Sequence, residues 1–175
     1  MEPMKNRHST EIIATYQIIV DRLKACGINP KHHILDNECS EDFKEAIKDN
    51  DMTYQLVPPD DHRQNIAERA IQTAKSHVIS VLCGCDPNFP INLWDLLIPQ
   101  MEIQLNLLRH SRTISKVSAY AHHYGPYDYN AHPLAPLGTA VEHHVKPNTR
   151  ASFGMRSLSG WYVGVSLEHY RCHRN

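Results

Sequence analysis

No apolar run in this 175-residue chain approaches the ~18 residues a membrane-spanning helix requires. The opening MEPMKNRHST has no apolar centre of the signal-peptide kind. The expectation is a soluble, intracellular protein with no membrane partner. Paired cysteine spacing is also lacking. Cys26, Cys39, Cys83, Cys85 and Cys172 are odd in number and give one C-x-C and no C-x-x-C. That argues against a disulfide framework or a regular zinc site and fits a reducing compartment, with reactive or metal-binding thiols as the lesser alternative. No charge of one sign dominates, since the net charge is −1. What is present is 41% hydrophobic and 21% charged residues, the balance of a globular chain.

The even total hides an uneven distribution. Residues 1–108 carry 10 Lys+Arg against 16 Asp+Glu, whereas residues 109–175 carry 8 against 3 and hold 8 of the 13 histidines. A basic C-terminal third is a possible phosphate-contacting surface; a polar appendage with a chance charge bias is the competing reading.

Periodicity predicts the elements. STEIIATYQIIVDRLKACG reads as a helix capped by Ser9 or Thr10, with Ile12, Tyr16, Ile19, Val20 and Leu23 as its apolar stripe. HHILD is a short strand ending at Asp36. SEDFKEAIKDN is a second helix, capped by Ser40, with Phe43 and Ile47 facing the core. MTYQLV is a strand, and PPDDHRQ a loop because its prolines cannot continue a central strand.

Residues 65–82 form a third helix with an Ile66, Ala70, Ala74, Val78 row. Asn65, Glu68, Arg69, Gln72 and Lys75 or Ser76 lie on its other side. A fourth helix starts near Ile91, and Pro99 kinks or splits it. A short helix follows in SKVSAYAHHYG. Then come short strands in which Val141, His143 and Val145 alternate, as do Trp161, Val163 and Val165. The pattern is an α/β body with a small β unit appended.

Asp36 at a strand end and Glu68 in the first turn of a helix stand where open α/β folds place ligands. Two carboxylates brought together there repel unless a cation lies between them. Mg²⁺ suits such a site because it accepts one or two carboxylates and fills its shell with water and phosphate. Asn65, Arg69, Gln72 and Lys75 lie near Glu68 at helical spacing and could hold a DNA backbone. By pattern alone, two solvated surface acids is the stronger competing reading.

The order LDNE, YQLVPP, HRQNIAERAIQTAKSH resembles the integrase core of copia-type retrotransposons, members of the ribonuclease-H-like superfamily. Asp36-Asn37 matches the family's Asp-Asn at a strand end. Gln64-Asn65-Ile66-Ala67-Glu68-Arg69 matches its Q-N-x-x-A-E-R segment, with 31 residues between Asp36 and Glu68. DPNFPINLWDLLIPQMEIQLNLLR is similar to the helical part of such cores. PLGTAVEHHVKP and GWYVGVSLEHYRCHR are similar to the β segment that follows.

The resemblance implies a ribonuclease-H-like core over residues 1–130 and a small β segment over 131–175. It implies an Asp-Asp-Glu triad holding two Mg²⁺ or Mn²⁺ ions, with Asp36 second and Glu68 third. It also implies DNA integration by phosphoryl transfer, with element ends and target DNA as partners, a nuclear location and a homo-oligomeric integrase. Asn65, Arg69, Gln72 and Lys75 would touch DNA.

This sequence departs from the pattern at the first acid. Before Asp36 the only Asp is Asp21, within the first predicted helix. The expectation is a core lacking its first strands and first catalytic Asp, a Gag-Pol polyprotein fragment without strand-transfer activity of its own. The alternative is a non-catalytic nucleic-acid-binding or assembly module.

The remaining candidates have plainer readings. The pairs His32-His33, His122-His123 and His143-His144 are expected as surface or half-buried histidines, and His62 as a loop histidine. Trp94 and Trp161 are expected as core anchors. Glu38, Asp60 and Asp61 are expected as surface acids.

Overall fold

The computed structural model describes residues 2–36, 39–57 and 66–175. These residues form a mixed α/β protein of two compact units, Met1–Ile71 and Gln72–Asn175.

In the first unit the chain runs α1 (Ser9–Ala25), β1 (His32–Leu35), α2 (Glu41–Asp49), β2 (Thr53–Leu56) and into the start of α3 (Ile66–Cys83). Strands β1 and β2 pair in parallel, His32 opposite Thr53 through Leu35 opposite Leu56. Parallel neighbours need a crossover, and α2 supplies it. Ser40 caps α2 as expected, its hydroxyl accepting the Phe43 N–H at 3.4 Å. Tyr16, Val20, Leu35, Ile47 and Met52 make the core, with Phe43 packed against them. The Tyr16 and Phe43 rings meet edge to face at 4.9 Å.

Helix α1 departs from expectation in two respects. Neither Ser9 nor Thr10 is its cap: His8 holds that position, and its carbonyl accepts the Glu11 and Ile12 N–H groups without help from a side chain. The inner face is Thr15, Tyr16 and Val20, while Ile19 is 43% exposed. The buried stripe is therefore narrower than the apolar one.

The second unit holds the rest of α3, a 3-10 stretch over Ile91–Leu97, α4 (Ile98–Leu108) and α5 (Ala119–Tyr124). Strands β3 (Ala140–His144), β4 (Ser157–Trp161), β5 (Gly164–Val165) and β6 (His173–Arg174) follow. Antiparallel pairs β3–β4 and β5–β6 form two small sheets. Phe89, Leu97, Met101, Leu137 and Tyr162 are the core, flanked by Val78, Val81, Leu82, Trp161 and Val163.

Residues 91–108 are split as the proline predicts. Pro99 falls in the first turn of α4, where its missing N–H leaves no helical bond unmade. Leu93 breaks the preceding 3-10 stretch with φ −97°, ψ 16°. Helical spacing therefore does not carry Trp94 onto the face of Leu97 and Met101. Trp94 is 44% exposed and is not a core anchor, whereas Trp161 packs on Phe89 at 5.9 Å.

Gln100 is the polar centre of this unit. It has no exposed surface, its amide donates to the Ala135 carbonyl at 2.9 Å, and its oxygen accepts Tyr162 O–H at 2.6 Å and Val165 N–H at 3.1 Å. One helical side chain thereby ties α4 to the β segment and leaves no buried polar atom of its own unmatched.

Candidate nucleic-acid and metal site

Asp36 follows the last residue of β1 directly and is exposed, its carbonyl accepting the Cys39 N–H at 3.3 Å. It stands at the carboxyl end of a parallel strand, where the sequence places it. Behind it, burial raises the pKa of the Cys39 thiol. Burial lowers the His33 pKa, with neighbouring His32 acting in the same direction. The His33 ring lies 5.5 Å from Tyr16 and 6.0 Å from Phe43, so it is a packing histidine rather than an open ligand.

Glu68 is an exposed residue of the first turn of α3, where a carboxylate complements the positive helix end. Arg69, Gln72 and Lys75 are exposed on the same helix. Asp36, Glu68 and Arg69 belong to the first unit, Gln72 and Lys75 to the second. Asn65 lies outside the described residues, as do Asn37, Glu38, Asp60, Asp61, His62 and Gln64.

The apolar row expected on α3 is not a buried row. Ile66 is 53% and Ile71 54% exposed, no residue of the helix is fully buried, and Val78, Val81 and Leu82 alone pack on a core. In the first two turns, where Ile66 and Ile71 are exposed, periodicity marks amphipathicity without marking burial.

The donor set decides how far the metal reading goes. Among the described residues, no group of three or more His, Cys, Asp or Glu side chains comes together as a cation site needs. Asp21, the one Asp before Asp36, lies on α1 and accepts a bond from Gln17 at 2.8 Å. The histidine pairs make ordinary contacts. His32 bonds Thr53 at 2.8 Å, His122 bonds Ser111 at 2.6 Å, and His143 and His144 are exposed on β3.

One group was not singled out by sequence reasoning. The loop between β3 and β4, residues 145–156, presents Phe153 at 104% and Met155 at 75% relative exposure. Lys146, Arg150 and Arg156 are its charged residues. The signal was available, because an aromatic in a Gly-containing loop with three cations and no acid has no core to join.

No helix among the described residues is long and apolar enough to cross a membrane. No protein-family model matches the chain, and no curated protein matches it. Among solved structures, the chain is similar in fold to a chain in the cryo-electron-microscopy structure of the simian T-cell lymphotropic virus intasome in complex with PP2A regulatory subunit B56 gamma. The TM-score is 0.51 and the identity 18%. The match covers 95% of this chain and 57% of that one, so this chain spans little more than half the length of its structural neighbour, and at that identity the likeness is one of fold.

Proposed function

We propose that this chain is the DNA-binding portion of an integrase-type protein of ribonuclease-H-like fold, of the copia kind its motifs resemble. The observation that carries the reading is the fold likeness to a chain of a retroviral intasome complex over 95% of this chain. It is supported by the position of the two motif acids, Asp36 at the end of a parallel strand and Glu68 in the first turn of α3. In this reading Arg69, Gln72, Lys75 and the adjoining Asn65 contact the DNA backbone. Asp36 and Glu68 are the second and third acids of a Mg²⁺- or Mn²⁺-binding triad. A nuclear site of action and self-association belong to the same proposal.

The activity proposed for the chain by itself is DNA binding. Fluorescence anisotropy with labelled duplex DNA, read across a salt series, tests it. Wild-type protein binds, and Arg69→Ala and Lys75→Ala each weaken binding and reduce the salt slope by about 1. Absence of DNA binding sinks the proposal. Metal-dependent strand transfer by the purified chain, lost in Asp36→Asn, would show that the assignment to binding alone is wrong.

A further inference from the structure

The geometry points to the β3–β4 loop as a base-stacking wedge. Phe153 stacks on an unpaired or opened base of a nucleic acid, while Lys146, Arg150 and Arg156 hold the flanking phosphates. This rests on the reading of the chain as a DNA-binding protein and names the part that would engage the base.

The loop is a built projection. Five antiparallel rungs, Ala140 opposite Trp161 through His144 opposite Ser157, make a hairpin, and the Val145 N–H to Arg156 carbonyl bond at 2.9 Å closes its end. Two tight turns shape the tip. Pro147–Thr149 is a 3-10 turn held by Thr149 N–H to Lys146 carbonyl at 3.0 Å. The second is closed by Gly154 N–H to Ala151 carbonyl at 2.9 Å. A Cβ at Gly154 would stand 3.2 Å from that carbonyl, so the turn is tight because Gly154 has none. Phe153 immediately precedes it, wholly exposed at the apex.

The charges identify the occupant. Residues 145–156 carry three cations and no acid, in a chain of net charge −1. Lys146 and Arg156 are exposed, while Arg150 is half-buried with one guanidinium nitrogen buried and lacking a hydrogen-bond partner. A phosphate oxygen is an acceptor of the right kind for the exposed Lys146 ammonium and Arg156 guanidinium. A lone ring amid such groups matches the pattern of single-stranded nucleic-acid binding, in which aromatics take bases and cations track the backbone. An anionic bilayer would call for a broader apolar face than Phe153 and Met155 provide.

The test uses the full chain and a dye-labelled forked DNA with unpaired arms, compared with a blunt duplex of the same sequence. Phe153→Ala is expected to weaken binding to the fork about fivefold or more, with the salt slope unchanged, and Phe153→Tyr to retain it. Lys146→Ala with Arg156→Ala lowers the salt slope by about 2 instead. A 2-aminopurine in the fork reports stacking by a fluorescence change that Phe153→Ala abolishes. Because Phe153 packs on nothing, its substitution leaves the melting temperature in place. Equal binding by wild type and Phe153→Ala overturns the wedge while the DNA-binding reading stands. Failure of the wild type to bind either DNA overturns both. Phe153-dependent binding to phosphatidylserine–phosphatidylcholine vesicles, with none to the fork, replaces the nucleic acid by a membrane and also overturns the proposal.

Discussion

Gln100 shows how much one polar side chain can hold in a small core. Its three partners, the Ala135 carbonyl, the Tyr162 hydroxyl and the Val165 amide, come from the chain that follows α4. Gln100→Ala takes a bond from all three, although the Tyr162 oxygen still accepts the Ala135 N–H at 3.4 Å, and each buried group left unmatched costs about 1–3 kcal/mol. Urea unfolding is therefore expected to show a loss of about 3 kcal/mol or more. Tyr162→Phe, which removes one of the same bonds, is expected to add less on top of Gln100→Ala than it costs in the wild type. Full additivity in that double-mutant cycle would mean that the Tyr162 bond contributes nothing. Gln100 was not legible beforehand as the inward-facing polar residue, because α4 also carries Glu102, Gln104 and Asn106. Nor were the backbone groups it serves, because they lie 35 and 65 residues away.

At the scale of the element, α2 is the clearest case of local sequence setting local structure. Ser40 caps it, Glu41 and Asp42 occupy its first turn, and Ile47 is fully buried. Lys44 bonds Glu41 at 2.7 Å, which lowers the Glu41 carboxyl pKa and raises that of the Lys44 ammonium. Glu41 is exposed while the Lys44 side chain is half-buried, and an i,i+3 pair open to water on the carboxylate side adds little. The cap matters more: Ser40→Ala is expected to cost about 1 kcal/mol in denaturant unfolding, and a loss indistinguishable from zero would rule out the bond at Phe43 N–H as a stabilising cap. Every cue for α2 lies within ten residues of it, which is why it could be read from sequence. α1 and α3 carry equally good periodicity, yet Ile19, Ile66 and Ile71 are exposed. Period reports which residues share a face, and tertiary packing decides whether that face is covered. The candidate site divides in the same way. The strand-end place of Asp36 and the first-turn place of Glu68 were readable, because strand and helix limits are local. A gathering of donors is not local, because it depends on which distant segments meet.

At the scale of the whole molecule, the two hydrophobic clusters found among the described residues have no residue in common. One is Tyr16, Val20, Leu35, Ile47 and Met52, all before residue 72. The other is Phe89, Leu97, Met101, Leu137 and Tyr162, all after it. Ile47 is completely buried in the first and Met101 1% exposed in the second. Truncating either to Ala removes transfer free energy and leaves a cavity, about 2–5 kcal/mol in each case. If each cluster stabilises its own unit, the two substitutions act on different cooperative transitions. Hydrogen exchange resolved along the chain separates them. Ile47→Ala speeds exchange in α1, α2, β1 and β2 and leaves α4 and β3–β4 protected, while Met101→Ala does the reverse. Uniform loss of protection along the chain in both variants would mean one cooperative fold. A first unit opening on its own would also expose Asp36 and Glu68 to unfolding while the β3–β4 hairpin stays formed. DNA binding that depends on Phe153 should then survive Ile47→Ala at a temperature where binding that depends on Arg69 does not.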